Sequence, residues 1–138
     1  MSQPPDEIPP RCAPSYDLRF SDRGDYLRVE ISGPGDSLEV SLAYWRDIAA
    51  ECERRGTRAL LVLDLFENEP LAQAEVDQVI EAMRNSYMRQ VRVAYCELNS
   101  AVLPQAERGE LAAREVGFTV RVFASEQEGE LWLRYGES

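Results

Sequence analysis

The sequence contains no histidine and no lysine among its 138 residues. Without histidine it has neither Ser-His-Asp nor Cys-His catalysis, and it lacks the residue that most often binds zinc and carries protons at neutral pH. Without lysine the P-loop motif cannot occur, and no GxGxxG loop follows a predicted strand. We therefore expect a protein that is not an enzyme and has no catalytic residues, no metal and no cofactor.

Cysteine is scarce, and the charge is mostly of one sign. The three cysteines, Cys12, Cys52 and Cys96, form no CxxC motif, so neither a disulfide framework nor a thiolate zinc site is expected. Cys52 lies on the apolar side of a predicted helix and is expected to be a small buried hydrophobe. All 15 basic residues are arginine, against 25 acidic residues, and the net charge is −10. This charge disfavours nucleic acid and anionic membranes, because binding to either needs a positive surface.

Long hydrophobic runs are absent as well. No apolar stretch approaches the roughly 18 residues that cross a bilayer, and the start, MSQPPDEIPPRC, lacks the basic and apolar regions of a secretory signal. We therefore expect a cytoplasmic protein. Residues 1–15 hold five of the eight prolines and are predicted to form a flexible arm, and residues 16–138 to form a single α/β domain.

The hydrophobic pattern after the arm switches between the two-residue period of strands and the 3.6-residue period of helices. It predicts a hairpin at 16–32, helices at 38–55, 71–87, 101–116 and 125–135, and strands at 58–65, 91–95 and 119–124. The order ββαβαβαβα predicts a mixed sheet of about five strands with flanking helices. Its first two strands should be antiparallel and its later strands parallel.

Single residues mark the ends of two predicted helices. Asp36 or Ser37 is placed to cap the first helix, and Gly56 to end it. Ser125 is placed to cap the last helix, with Glu128 at capping-box spacing. The apolar side is predicted from Leu38, Leu42, Trp45, Ile48, Ala49 and Cys52 in the first helix, and from Leu131, Trp132 and Leu133 in the last.

Ligands of open α/β sheets gather beyond the carboxyl ends of the strands. Glu67, Glu69 and Glu97 follow two predicted strands there. Paired carboxylates support acid–base or metal chemistry, but on an acidic protein we favour solvated charges at loop ends. Cys96 precedes Glu97 and has no basic neighbour, so we expect an inert thiol. In Gly33-Pro34-Gly35 the proline removes an amide donor, which argues against phosphate binding.

Two passages carry a likeness to a known family. They are RALLVLDLFENEPLAQAEVDQVIEAM and VGFTVRVFASEQEGELWLRYG, and in the second the strand residues Arg121-Val122-Phe123 precede a helix that contains Trp132-Leu133. With the order of the elements, these passages resemble the STAS domain of bacterial anti-sigma-factor antagonists (SpoIIAA-like), in the branch related to CRAL-TRIO domains. The resemblance covers roughly residues 16–135.

The resemblance implies a non-enzymatic regulatory or protein-interaction module with an unknown protein partner, and a homodimer is a further expectation. In the antagonists an Asp-Ser pair after the central strand starts a helix, and phosphorylation of that serine controls partner binding. The matching stretch here, 64–70, contains no Ser or Thr, so phosphorylation at this helix start is excluded. The candidate partner-binding residues are Phe66, Glu67, Asn68, Glu69 and Leu71. Glu69 is either an ordinary acidic helix start or a permanent mimic of the phosphate.

A carrier or sensor of small apolar ligands, of the CRAL-TRIO type, is the alternative function. The aromatic residues Trp45, Phe66, Tyr87, Tyr95, Phe118 and Trp132 either line a cavity or fill the core. An apolar cavity of a few hundred Å³ would distinguish the two. A carboxylate- or metal-dependent enzyme built on Glu67, Glu69 and Glu97 is the least favoured class.

Overall fold

The computed structural model describes residues 16–66 and 70–136. The strands are β1 (Asp17–Asp22), β2 (Leu27–Ser32), β3 (Ala59–Asp64), β4 (Arg92–Glu97) and β5 (Thr119–Phe123), and the helices are α1 (Leu38–Arg55), α2 (Gln73–Met83), α3 (Leu103–Glu115) and α4 (Glu126–Tyr135). A 3₁₀ turn, Tyr87–Gln90, separates α2 from β4. The predicted α/β class and order are confirmed, and the predicted arm lies outside the described residues.

The five strands form one sheet in the order β1-β2-β3-β4-β5. The hairpin pair β1–β2 is antiparallel, and every later neighbour is parallel, as predicted. The register aligns Asp64 at the end of β3 with Glu97 at the end of β4. These two carboxyl groups therefore lie side by side on the same face of the sheet.

The helices divide unequally between the two faces of the sheet. Helix α1 contacts α2, α2 contacts α3 and α3 contacts β5, whereas α4 contacts β3, β4 and β5. The larger hydrophobic cluster, which includes Ile31, Ile48 and Val62, lies on the face covered by α1, α2 and α3. A smaller cluster, with Leu61 from the sheet and Trp132 from α4, lies between that helix and the sheet. We call these two sides the α1–α3 face and the α4 face.

The predicted helix ends are largely those observed. Ser37 caps α1, since its hydroxyl oxygen accepts a hydrogen bond of 3.2 Å from the Val40 N–H. Gly56 ends α1 with φ of 68°, a left-handed conformation that favours glycine. Ser125 caps α4 by accepting from the Glu128 N–H at 3.2 Å. Local sequence decides these ends because each cap satisfies backbone groups within one turn.

Two predicted boundaries are wrong. Helix α2 ends at Met83 instead of continuing to Tyr87, because Ser86 starts the 3₁₀ turn and accepts a hydrogen bond of 3.1 Å from the Met88 N–H. Strand β4 continues beyond residue 95 and includes Cys96 and Glu97. These two residues therefore belong to the sheet, and not to the loop that follows it.

The buried sides of two helices also differ from the predicted ones. In α1 the buried residues are Val40, Ser41, Tyr44, Ile48, Ala49 and Cys52, while the predicted Leu38, Leu42 and Trp45 are only partly buried. In α4, Trp132 and Leu133 are buried as predicted, but Leu131 is 49% exposed. Within residues 16–66 and 70–136, no helix has the length and apolar character that a membrane span requires.

Candidate functional site

A cavity of about 220 Å³ lies on the α1–α3 face, between the sheet and helices α2 and α3. Most of its wall is apolar, including Val76, Val79, Ile80, Met83, Val93, Ala106, Ala113, Phe118, Val120 and Val122. Helix α3 contacts β5, and none of its residues is fully buried. The α1–α3 face therefore carries a largely apolar cavity that is partly open to solvent.

Acidic side chains line this cavity where the parallel strands end. Asp64 and Glu97 lie opposite each other in the register of β3 and β4, so their backbones are about 4.8 Å apart. Asp36, from the loop before α1, lines the same cavity. Glu97 is only 6% exposed. Our expectation of a solvated charge was wrong for Glu97, because this residue continues the buried strand.

Asp64 and Glu97 are held by hydrogen bonds from neutral donors. Asp64 accepts from the Phe66 N–H at 3.0 Å and from the Tyr95 hydroxyl. Glu97 accepts from the Asn99 N–H at 3.1 Å. Burial raises the pKa of Asp64, and the hydrogen bonds from Tyr95 and Phe66 oppose that rise. Burial also raises the pKa of Glu97, and the nearby charge of Asp64 adds to it.

Asp36 binds the loop to helix α1. Its carboxylate accepts from the Ser37 N–H and the Ser41 hydroxyl, both at 2.8 Å, and from the Tyr44 hydroxyl at 3.3 Å. Burial raises the pKa of Asp36 in spite of these donors. Ser37, and not Asp36, caps helix α1. The Asp36 carboxylate adds a third acidic group to the lining of the cavity.

Four aromatic rings surround this acidic end of the cavity. The ring of Tyr44 lies 5.9 Å from that of Trp45 and 5.9 Å from that of Phe66, and Trp45 lies 6.4 Å from Tyr95, measured between centroids. All four residues line the cavity. Burial holds the pKa of Tyr44 and Tyr95 well above the usual value, so both remain hydroxyl donors at neutral pH.

The cavity contains no basic side chain among its described lining residues. A fourth carboxyl, Glu110, also lines it but pairs with Arg114 at 3.0 Å and accepts from the Val122 N–H at 2.8 Å. The amide oxygen of Gln105, another lining residue, is buried and accepts no hydrogen bond within the described part of the chain. The polar groups of the cavity are thus mainly acceptors.

The structure brings only some of the predicted site residues together. Phe66 and Leu71 line the cavity, whereas Glu67, Asn68 and Glu69 lie outside the described residues. Of the aromatic candidates, Trp45, Phe66, Tyr95 and Phe118 line the cavity. Tyr87 does not line the cavity but packs, like the other four, against the larger core cluster, and Trp132 of α4 lies in the smaller cluster.

The two described cysteines are buried free thiols. Burial raises the pKa of Cys52 to about 11 and that of Cys96 to about 12, so both are protonated at neutral pH. The expected inertness of Cys96 is consistent with this, because the thiolate is the reactive form. In the described ranges, no group of three acidic or thiol side chains is arranged to hold a metal ion.

Sequence reasoning did not identify Asp36, Tyr44, Asp64 or Gln105 as site residues. Asp64 had a usable signal, since it ends a continuously apolar strand at the sheet edge where ligands bind. Tyr44 and Gln105 had none, because their roles depend on how far the helices lie from the sheet. The chain matches no family model and no curated protein, so the geometry of the cavity has to carry the functional argument.

Proposed function

We propose that this protein is a non-enzymatic carrier or sensor that binds a small, largely apolar ligand in the cavity on the α1–α3 face. The cavity itself is the observation that carries the proposal. A cavity of about 150 Å³ holds benzene in an engineered protein. The volume of about 220 Å³ here has room for an aromatic ring with a short side chain.

The free energy of packing favours a bound ligand in this cavity. Protein interiors are close-packed, with few voids larger than a water molecule. The cavity is partly open, so its largely apolar wall is in contact with solvent, and a ligand that covers this wall removes apolar surface from water. A ligand that fills the cavity restores the missing contacts, which gives the folded protein an affinity for molecules of that shape.

Binding of a neutral aromatic probe tests this function directly. We expect isothermal titration calorimetry to detect binding of indole and 2-phenylethanol to the full chain. Ala106→Leu places a larger side chain in the cavity wall and should weaken binding by about tenfold or more. Ala82→Leu, the same change at an exposed position of α2, should leave binding unchanged. Equal binding by Ala106→Leu would contradict the proposal, and so would absence of binding by indole, by 2-phenylethanol and by its charged analogues.

A second candidate function is the regulatory protein-interaction module that the STAS resemblance implies. Leu65 is 38% exposed and Leu98 51% exposed, and both follow strands at the end of the sheet where Phe66 and Leu71 lie. Apolar side chains grouped at one surface support docking of another protein. In this proposal the module acts in the cytoplasm without nucleic acid or membrane, as its charge of −10 favours.

Matched leucine variants test the docking surface. Leu98→Asp should abolish capture of a specific partner from cell extract, and Leu111→Asp, at a 61% exposed leucine of α3, should not. Equal capture by both variants would count against docking at this end of the sheet. Analytical ultracentrifugation decides the expected homodimer separately, since a sedimentation coefficient that does not change with concentration and fits a monomer rules it out.

A further inference from the structure

The acidic end of the cavity contains two adjacent carboxyl groups. Asp64 and Glu97 are register partners on adjacent strands, and both side chains face the cavity. The hydroxyl of Tyr95 and the backbone N–H groups of Phe66 and Asn99 are already donated to them. No arginine is among the described lining residues, so nothing in the wall neutralises the two charges.

A ligand at this end has to supply hydrogen-bond donors. The amide oxygen of Gln105 is a buried acceptor without a donor in residues 16–66 and 70–136. A buried acceptor left unsatisfied costs free energy, as does a buried pair of like charges. A ligand with positive charge and N–H groups at the acidic end relieves the repulsion between the two carboxyl groups. A negatively charged ligand adds to the repulsion.

The aromatic rings favour the same kind of ligand. Tyr44, Trp45, Phe66 and Tyr95 form a chain of rings with centroid separations of 5.9 to 6.4 Å beside the carboxyl groups. The faces of aromatic rings carry partial negative charge and attract cations within about 6 Å, which is how aromatic cages hold ammonium groups. Rings and carboxylates at one end of an apolar cavity thus combine two means of binding an organic cation.

We propose that the cavity selects an organic ammonium ion, whose charged group lies between Asp64 and Glu97 and whose apolar body lies against the walls provided by α2, α3 and β5. This inference rests on the proposed ligand-binding function and specifies its ligand class. The volume of about 220 Å³ limits the apolar body to the size of a ring with a short chain.

Three probes with one shared body separate the possibilities: 2-phenylethylamine, 2-phenylethanol and 3-phenylpropionate, each titrated calorimetrically at pH 7. We expect the amine to bind about tenfold or more tightly than the alcohol, and the carboxylate to bind more weakly than both. In Asp64→Asn and Glu97→Gln, studied singly, the affinity for the amine should fall toward that of the alcohol. The affinity for the alcohol should change by less than about threefold.

Glu81→Gln is the matched control for removing one negative charge. Glu81 is an exposed residue of α2 that pairs with Arg84 at 3.1 Å and does not line the cavity, so this variant should keep the preference for the amine. Thermal unfolding of each variant confirms that it is folded, and the Asn and Gln replacements keep the shape of the original side chains.

The outcomes distinguish the two proposals. If the alcohol binds and the amine has no advantage, or if both single variants keep the full advantage, the organic cation is wrong and the ligand-binding function stands. If Ca²⁺ alone binds and Asp64→Asn abolishes that binding, the acidic end is a metal site and the organic cation is likewise wrong. If none of the three probes and no indole binds, the ligand-binding function itself fails.

Discussion

The two faces of the sheet are built from similar residues but are packed in different ways. On the α4 face, Gly129 brings the helix so close that a Cβ added there would lie 2.8 Å from Cys96 Sγ and 3.3 Å from Ala94 Cβ. On the α1–α3 face, a Cβ added at Gly109 of α3 would meet only Val76 Cγ1, at an ordinary 3.5 Å. Helix α4 therefore lies directly against the sheet at Gly129, while the other face retains the cavity.

The two faces also differ in how their buried charged side chains are paired. On the α4 face Arg28 is 9% exposed and donates to Glu30 at 2.7 Å and to Glu126, in the first turn of α4, at 3.1 Å. On the α1–α3 face the acids Asp64 and Glu97 have no arginine partner within the described residues. The buried Arg28 of the α4 face is thus paired with carboxylates of the chain, whereas Asp64 and Glu97 are held by neutral hydrogen-bond donors.

The largest test of the comparison is a pair of tryptophan substitutions. Trp132→Ala should lower the free energy of unfolding by about 3–5 kcal/mol, because Trp132 is buried between Phe123, at 5.7 Å between ring centroids, and Arg92, at 4.6 Å from its ring. Trp45→Ala should cost less, since Trp45 is partly exposed and borders the cavity. Urea denaturation followed by circular dichroism measures both, and an equal or larger loss for Trp45→Ala would break the comparison.

The second-largest predicted effect concerns Gly129, where α4 approaches the sheet closely. Gly129→Ala should destabilise the protein by about 1–2 kcal/mol, because overpacking costs about 1–3 kcal/mol and the better helix propensity of alanine offsets part of it. Adding Cys96→Ala removes the sulfur that lies 2.8 Å away and should restore part of the loss. A double-mutant cycle in chemical denaturation gives the coupling energy between the two substitutions. Additive effects on the free energy of unfolding would show that the added Cβ does not clash with the Cys96 sulfur.

The pH dependence of stability tests the acidic end of the cavity. Folding raises the pKa of Asp64 and Glu97 above their values in the unfolded chain, so the ionised forms destabilise the ligand-free fold. Stability should therefore rise as pH falls from 8 through these raised pKa values, and the gain is complete below the unfolded values of about 4. Asp64→Asn should flatten this rise, while Glu81→Gln should not. Denaturation midpoints over this pH range provide the measurement.

Protonation at the α4 face acts in the opposite direction at lower pH. The hydrogen bond from Arg28 lowers the pKa of Glu126, so the stability from this pair is present above the unfolded value and is lost as pH falls through the lowered one. The rise attributed to Asp64 and Glu97 should consequently be measured above about pH 4.5, where Glu126 remains ionised. A decline in stability over the range from pH 8 to pH 5 would contradict the assignment of the cavity acids.

The smallest predicted effect is a gain in stability on the α1–α3 face. Gly109→Ala should stabilise the protein by about 0.5–1 kcal/mol, because alanine is the better helix former and its Cβ makes an ordinary contact with Val76. It is the counterpart of Gly129→Ala, with the same substitution in a helix and the opposite sign. Thermal denaturation compares the two variants, and a loss of stability at Gly109 would show that α3 packs too closely against Val76 of α2 to admit a Cβ.

Much of the fold could be predicted because its signals are local. The alternation of strand and helix periods, the Ser37 and Ser125 caps and the Gly56 terminus each depend on residues within one or two turns. Errors arose where a tertiary contact overrides the local pattern. Helix α1 is rotated so that Tyr44 is buried in place of Trp45, and β4 extends to Glu97 because it pairs with β3 up to Asp64.

Less of the candidate site than of the fold could be predicted from the sequence. Phe66, Leu71 and the acid Glu97 were singled out and line the cavity, and Glu67 and Glu69 lie outside the described residues. Asp36 and Asp64 were missed. The spacing of acids along the chain does not reveal which of them a neighbouring helix covers. Burial of Asp64 depends on α1 and on strand β4, which lies about 30 residues further along the chain.

The sequence by itself determined the order of the elements, the parallel arrangement of the later strands, and the chemistry that the absence of histidine and lysine removes. These follow from periodicity, capping and composition, which are properties of short segments or of the whole chain. Only the tertiary structure decided that α4 lies against the sheet at Gly129 while α2 and α3 leave a cavity above Asp64 and Glu97. The distance between two layers depends on side chains far apart in sequence that meet only in the folded molecule, and no local pattern records it.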